Sequence, residues 1–182
     1  MDRELVIAAQ HGDEDAFSAL VLGVGDRLYA TAYRILRDRS IAEDVVQQAL
    51  LEAWQHLPRL RNPDRFVSWT FQLLVRTCYR MGKQEQHQAR LRVVTPRPAG
   101  AVDEIARLAD RDQLQPAFRR LSLEHRTIIV LRHYLDWPLT EIADALGVPL
   151  GTARSRLHYA LRSMRAALEA DERRTERRRA QR

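Results

Sequence analysis

The sequence predicts an all-α protein in which two small helical domains are joined by a flexible linker. Three observations carry that expectation. Apolar residues recur at spacings of three and four along nearly the whole 182-residue chain. Strict alternation and the Asn-Gly or Asp-Gly turns of hairpins are missing. The helical pattern weakens once, between Gly82 and about Asp112, where "KQEQHQARLRVVTPRPAGAVDE" is polar and then carries two prolines and a glycine close together. The expected division is therefore a first domain over residues 1–84, a linker over 85–112, a second domain over 113–170 and a basic tail over 171–182, which ends in "ERRTERRRAQR".

The totals bound the function classes. A formal charge of +6 and a pI near 10.2 favour a polyanionic partner, although a solvated basic surface gives the same totals. A single cysteine, Cys78, excludes an internal disulfide and a CxxC zinc site, and fits a reducing, cytoplasmic setting. The start "MDRELVIAAQ" has acids early, and runs such as "ALVLGV" and "TIIVL" fall far short of a membrane span. The chain reads as untargeted, with no membrane insertion.

In the first domain, "AEDVVQQALLEAWQHL" over 42–57 places Val45, Val46, Ala49, Leu50, Ala53, Trp54 and Leu57 on one wide stripe. Asp44, Gln47, Gln48, Leu51 and Gln55 fall opposite. A lone leucine among amides suits a plain amphipathic helix as well as a docking face. Pro58 ends this helix, residues 58–62 form a short loop, and Asn62 followed by Pro63 is a cap and first-turn pair that opens the next helix. There, Phe66, Val67, Phe71, Leu74, Val75 and Cys78 point inward, while Trp69, Leu73, Arg76, Arg80 and Lys83 lie along another face. Cations interleaved with an aromatic suit single-stranded DNA, because the charges hold the backbone while rings receive unstacked bases. A packed, structural Trp69 fits the same pattern.

In the second domain, the strand-like run "TIIVL" has flanks that continue a helical spacing through Leu121, Ile128, Leu131 and Leu135, so a buried helix is expected. "LTEIADALG" then puts Leu139, Ile142, Ala143 and Leu146 on one face, and Gly147 supplies the permissive backbone of a sharp helix end. After "VPLG", Thr152 is expected to cap a second helix whose inward stripe is Ala153, Leu157, Ala160 or Leu161, and Met164. Two short helices packed at an angle form a helix-turn-helix. The outward residues of the second are Arg154, Ser155, His158, Tyr159 and Arg162, with Arg156 and Arg165 flanking. Residues 150–168 carry four arginines and no acid, whereas the preceding helix carries Glu141 and Asp144. Arginine suits a groove-facing surface because its planar fork bonds guanine edges or phosphate, and Thr152 and Ser155 are smaller donors. A hairpin with a solvated basic face is the plain alternative.

At these residues the chain resembles a known family. "LRHYLDWPLTEIADALGVPLGTARSRLHYALRSMR" is similar to the promoter-reading domain of the extracytoplasmic-function sigma factors of bacterial RNA polymerase, over about Leu114 to Leu168. The resemblance implies contact with the upstream, minus thirty-five promoter element from the start of the second helix. Arg154 and Ser155 match family contact positions, and Tyr159 stands where the family often has arginine. "AEDVVQQALLEAWQHL" is similar to the family helix that clamps the large subunit of core RNA polymerase. That makes Asp44, Gln47, Gln48, Leu51 and Gln55 the candidate polymerase contacts, with Gln48 replacing the usual glutamate. "FVSWTFQLLVRTCYR" resembles, more loosely, the helix that opens the downstream, minus ten element. By that likeness Leu60, Arg61, Asn62 and Arg65 in the loop, then Trp69, Arg76, Arg80 and Lys83, are the candidate downstream contacts. Arg76 and Arg80 replace the usual asparagine and aspartate, and both changes are expected to add positive charge.

Two such segments in family order imply a two-domain initiation factor. It would recruit core RNA polymerase to promoter DNA, use no cofactor or metal, perform no covalent chemistry, and be masked by an anti-sigma factor. Two rivals from other classes are a stand-alone helix-turn-helix regulator and a DNA recombinase. The regulator needs a dimer interface or a receiver domain, and the recombinase needs a nucleophile setting. The sequence supplies neither.

Overall fold

The structure, a computed structural model, describes residues 2–91, 117–118 and 120–180. The expected linker lies outside the described residues from 92 onward, as do 113–116 at the start of the second domain and 181–182 at the end of the tail. The chain forms two compact units, and residues up to Gln84 belong to the first.

The first unit comprises α1 (Arg3–Gln10), α2 (Glu14–Leu36), α3 (Arg39–His56), two 3-10 turns (Leu57–Arg59 and Pro63–Arg65) and, up to Gln84, the long helix α4 (Phe66–Leu91). An aspartate precedes each of the first three helices. Asp2, Asp13 and Asp38 accept the N–H groups of Glu4, Ala16 and Ile41 at 2.9, 2.9 and 3.1 Å, each cap contributing about 1 kcal/mol. α2 ends on Arg37 at φ 59, a left-handed residue without glycine's freedom, held by its N–H to Tyr33 O at 2.8 Å and by its guanidinium 5.1 Å over the Tyr33 ring. The core follows the helical period: Leu20, Val24, Leu28, Ala32 and Ile35 of α2 are buried with Ala42, Val45, Ala49 and Ala53 of α3. Small residues on α3 let it lie close to α2, and the Phe17 and Trp54 rings close the seam at 4.8 Å between centroids. From α4, Phe66, Phe71, Leu74, Val75 and Cys78 enter the core as the periodicity predicts. Burial pushes the Cys78 thiol far above its ordinary range, so it behaves as a small apolar group.

The C-terminal part of the chain holds α5 (Leu123–Ile129), which passes into a π-helical turn (Val130–Tyr134), then α6 (Leu139–Leu146) and α7 (Leu150–Ala180). Ser122 caps α5 by accepting the His125 N–H at 3.3 Å. Every residue of "TIIVL" is buried, which explains its strand-like look: a helix covered on all sides loses its polar face. The π turn closes through Leu135 N–H to Val130 O at 3.1 Å, and Trp137 N–H reaches Leu131 O at 3.0 Å. Arg132 Nη1 donates to the Trp137 carbonyl at 3.1 Å and fixes the turn that leads into α6. Among the described residues no helix is long and apolar enough to cross a membrane, and no group of three or more His, Cys, Asp and Glu side chains could hold a metal.

Candidate nucleic-acid interface

In the C-terminal part of the chain the helix-turn-helix is built by its turn. α6 stops at Gly147, whose φ of +63 is open to glycine at little cost. The Gly147 N–H bonds Asp144 O at 3.2 Å and the Val148 N–H bonds Ala143 O at 3.0 Å, the paired closure of a left-handed helix end. Ile142, Ala143 and Leu146 are buried as expected, and Leu139 is half-buried. α7 begins earlier than expected. Ala153 N–H already bonds Pro149 O at 3.1 Å, so the turn starts from Pro149 and Thr152 sits inside the first turn rather than capping it. Proline suits this place, because its missing N–H has no partner to lose.

α7 packs chiefly against α5 through Ala153, Ala160 and Ala167, buried one heptad apart, with Leu157 and Met164 half-buried between them. The choice left open by the sequence falls to Ala160, and Leu161 is exposed. The opposite face carries Arg154, Ser155, His158, Tyr159, Arg162 and Arg165, all exposed. Thr152 and Arg156 are half-buried at its margin. Ser155 Oγ donates to the Thr152 carbonyl at 3.0 Å, and the His158 and Tyr159 rings meet edge-on at 5.5 Å. The result is a cationic surface with one large aromatic, Tyr159, 55% exposed.

In the first unit, Asp44, Gln47, Gln48, Leu51 and Gln55 share the exposed side of α3, with Leu51 51% exposed. The loop after α3 is held from a distance. Gln10 Nε2 donates to both the Leu57 and Leu60 carbonyls, at 3.1 and 2.7 Å, using both of its hydrogens. Asn62 caps the next turn as expected, accepting the Asp64 N–H at 3.0 Å, and Asp64 is in turn paired with Arg3 at 3.0 Å. Arg61 and Arg65 are exposed, whereas Leu60 packs against the core made by Val6, Ala9, Leu20 and Phe66. Trp69 packs on the same core, its ring 6.3 Å from Phe66, so much of its surface is used structurally.

On α4 the cations differ from one another. Arg76 is exposed and makes no ion pair among the described residues. Lys83 Nζ stands 4.5 Å over the Tyr79 ring. Arg80 Nη2 bonds Glu52 Oε1 of α3 at 2.8 Å. Arg80 brings its added charge against Glu52, which pairs with it, whereas Arg76 keeps its charge clear of any ion pair among the described residues. Burial raises the Glu52 carboxyl's pKa, but hydrogen bonds from Arg80 and Gln48 and the charges of Arg80 and His56 outweigh it and hold the group below the ordinary carboxylate range. Sequence reasoning missed Gln10 and Glu52. Their partners lie 47, 50 and 28 residues away, and no spacing rule reports such contacts.

Two helices joined by a tight turn at Gly147, the second with a cationic face free of acids over residues 150–168, define a helix-turn-helix DNA-binding protein. Residues 20–88 match the Sigma-70 region 2 family, and residues 117–166 match Sigma-70, region 4. The chain is 36% identical over 151 residues to the ECF RNA polymerase sigma factor SigL of Mycobacterium tuberculosis, an alignment covering 78% of this chain and 82% of that protein. Among solved structures it is similar to CnrH in complex with the cytosolic domain of CnrY, with a TM-score of 0.62, 28% identity, and coverage of 93% of this chain and 98% of that one. It also shares the fold of the sigma factor RpoE in complex with the anti-sigma factor NepR from Bartonella quintana, with a TM-score of 0.62 at 22% identity, covering 85% of this chain and 98% of that one. The chain belongs to the extracytoplasmic-function sigma factors of bacterial RNA polymerase. It directs core polymerase to promoters and initiates transcription, and sigma factors do so as non-enzymatic factors.

Proposed function

We propose that the two units divide promoter recognition between them. α7 reads the upstream element in the duplex major groove: Arg154 and Arg162 supply base-edge or phosphate contacts, Ser155, His158 and Tyr159 define the surface between them, and Thr152 and Arg156 line its margin. The exposed side of α3, Asp44, Gln47, Gln48, Leu51 and Gln55, docks on core polymerase, with Leu51 as the apolar centre and the polar groups as its rim. The loop from Leu60 to Arg65 and the outer side of α4 receive the downstream element as a single strand, with Arg61, Arg65 and Arg76 as the leading cations and Trp69 flanking. Residues 1–84 and 113–170 act as the two functional domains, 85–112 as the tether, and 171–182 as a basic tail. Two weak sites on one tether become a bivalent reader once polymerase fixes their separation, so affinity rises without new contacts.

The chain itself performs no covalent step in this reading, since polymerase supplies the catalysis, and it works in the cytoplasm where that enzyme is. The same exposed faces suit an anti-sigma factor that masks them; the similar fold of the sigma factor RpoE is seen in complex with an anti-sigma factor, NepR. The observation that supports the reading best is the conjunction, on one chain, of a recognition helix whose stretch 150–168 is cationic and free of acids and a separate helix with an exposed leucine set among amides. Run-off transcription on sheared genomic DNA, with core polymerase alone and with the chain added, tests it. New discrete start sites are expected with the chain, and none would refute it. Operator binding without polymerase would instead indicate a stand-alone regulator.

A further inference from the structure

α3 and α4 are joined at the surface by one carboxylate. Glu52 Oε1 accepts from Arg80 Nη2 at 2.8 Å and from Gln48 Nε2 at 3.3 Å. The side chain of Glu52 is 22% exposed, while that of Arg80 is 60% exposed. Arg80 therefore lies at the edge of the cationic strip that Arg76 and Lys83 share, yet its charge is answered by an acid seated in the groove between the helices. Gln48 supports that acid from the exposed side of α3, and His56, one turn further along, adds a favourable charge interaction.

We propose that Glu52 is a positioning residue for the strand-binding face, holding Arg80 against α3 and keeping its charge from the DNA backbone. The proposal rests on the reading of α4 as the downstream DNA surface. Its physical logic is selectivity. A free guanidinium in this strip would neutralise a phosphate of any sequence, adding affinity that carries no base information. With Arg80 anchored, the strip offers Arg76, and the loop offers Arg61 and Arg65 beside the place where bases are received. Discrimination is then less diluted by backbone binding. Shared hydrogen bonding to one oxygen also ties a residue of the proposed polymerase face, Gln48, to a residue of the proposed DNA face.

The test uses the full chain bound to core polymerase and a fork-junction promoter DNA whose downstream element is single-stranded, with a scrambled strand as comparison. The dissociation constant is measured across a salt series for the wild type, Glu52→Gln, Glu52→Gln with Arg80→Gln, and the charge swap Glu52→Arg with Arg80→Glu. Freeing one cation should steepen the salt slope by about 0.7, the single-strand value per phosphate. Glu52→Gln should show that increase, bind both strands on the order of two- to five-fold more tightly at low salt, and lower the cognate-to-scrambled ratio. The double glutamine variant should lose the added slope, and the charge swap should return the wild-type slope. An unchanged slope in Glu52→Gln, or an added slope that survives Arg80→Gln, overturns the proposal, and Glu52→Ala, which frees Arg80 in the same way, stands in with the same expected increase if Glu52→Gln fails to fold. A wild type that starts no transcripts sinks the sigma-factor reading instead, so the two failures are distinct.

Discussion

The recognition helix lends itself to a quantitative test, because its arginines differ in what surrounds them. Sequence counting gives four between residues 150 and 168, but Arg156 is half-buried and already engaged, which leaves Arg154, Arg162 and Arg165 exposed. If each of the three neutralises one phosphate of duplex DNA, the logarithm of affinity falls against the logarithm of salt by about 0.9 per contact, or about 2.7 in all. Between 50 and 200 mM salt that is about a forty-fold loss, against about 150-fold for four contacts. The perturbation is the triple variant Arg154→Ala, Arg162→Ala and Arg165→Ala, in which alanine preserves the helix. The assay is anisotropy of a labelled upstream-element duplex bound by the polymerase complex, repeated across salt. Other contacts cancel in the difference, so the triple variant should have a slope shallower by about 2.7, and adding Arg156→Ala should change it by much less than about 0.9. Equal slopes for wild type and triple variant would refute the docking of this face on DNA.

Further outcomes follow from the other contacts. Leu51→Glu and Asp44→Arg should each reduce copurification with core polymerase while leaving the helical circular dichroism unchanged, and undiminished copurification would remove that residue from the interface. Gln10→Ala takes the Gln10 bond from the Leu60 carbonyl, while the Leu57 carbonyl keeps the Leu60 N–H, and should cost about 1–3 kcal/mol in denaturant unfolding, with faster hydrogen exchange in residues 57–62. Thr77 Oγ1 is buried with no hydrogen-bond partner among the described residues, so Thr77→Val should stabilise the protein by about 1 kcal/mol, and a lower Tm would contradict the assignment. The depressed pKa of Glu52 gives its pair with Arg80 a fixed sign. The stabilisation, up to about 1 kcal/mol for a partly exposed pair, is present above the ordinary glutamate value and lost as pH falls through the folded value. Wild type and Glu52→Gln should therefore diverge at neutral pH and converge as pH falls below the ordinary glutamate range through the lowered folded value.

How much of this was legible in the sequence depends on whether a contact is local. The turn at Gly147, the buried face of Ile142 and Leu146, the cap at Asn62 and the inward set from Phe66 to Cys78 all follow from spacing within a few residues, and the structure places them so. The exposed faces of α3 and α7 follow from the same periodicity. Thr152 was misplaced because threonine is a good cap in isolation, whereas the turn from Pro149 already starts the helix. Ala160 and Leu161 lie about 100° apart on a helix, and only the heptad of buried alanines against α5 decides between them. The left-handed Arg37 has no sequence signal, since glycine is the residue that usually marks such an end. Gln10 with its two carbonyls and Glu52 with Arg80 were out of reach, because those pairings exist only once the helices have packed.

The central claim is that the two units recognise a promoter together only when core polymerase sets the distance between them. The direct measurement is retention of a labelled promoter duplex bearing both elements by the chain alone, by core polymerase alone, and by the two combined, with the spacing between elements varied. Site-selective, spacing-dependent retention is expected only for the combination. Tight, site-selective binding by the chain alone, indifferent to spacing and without association with core polymerase, would contradict the claim.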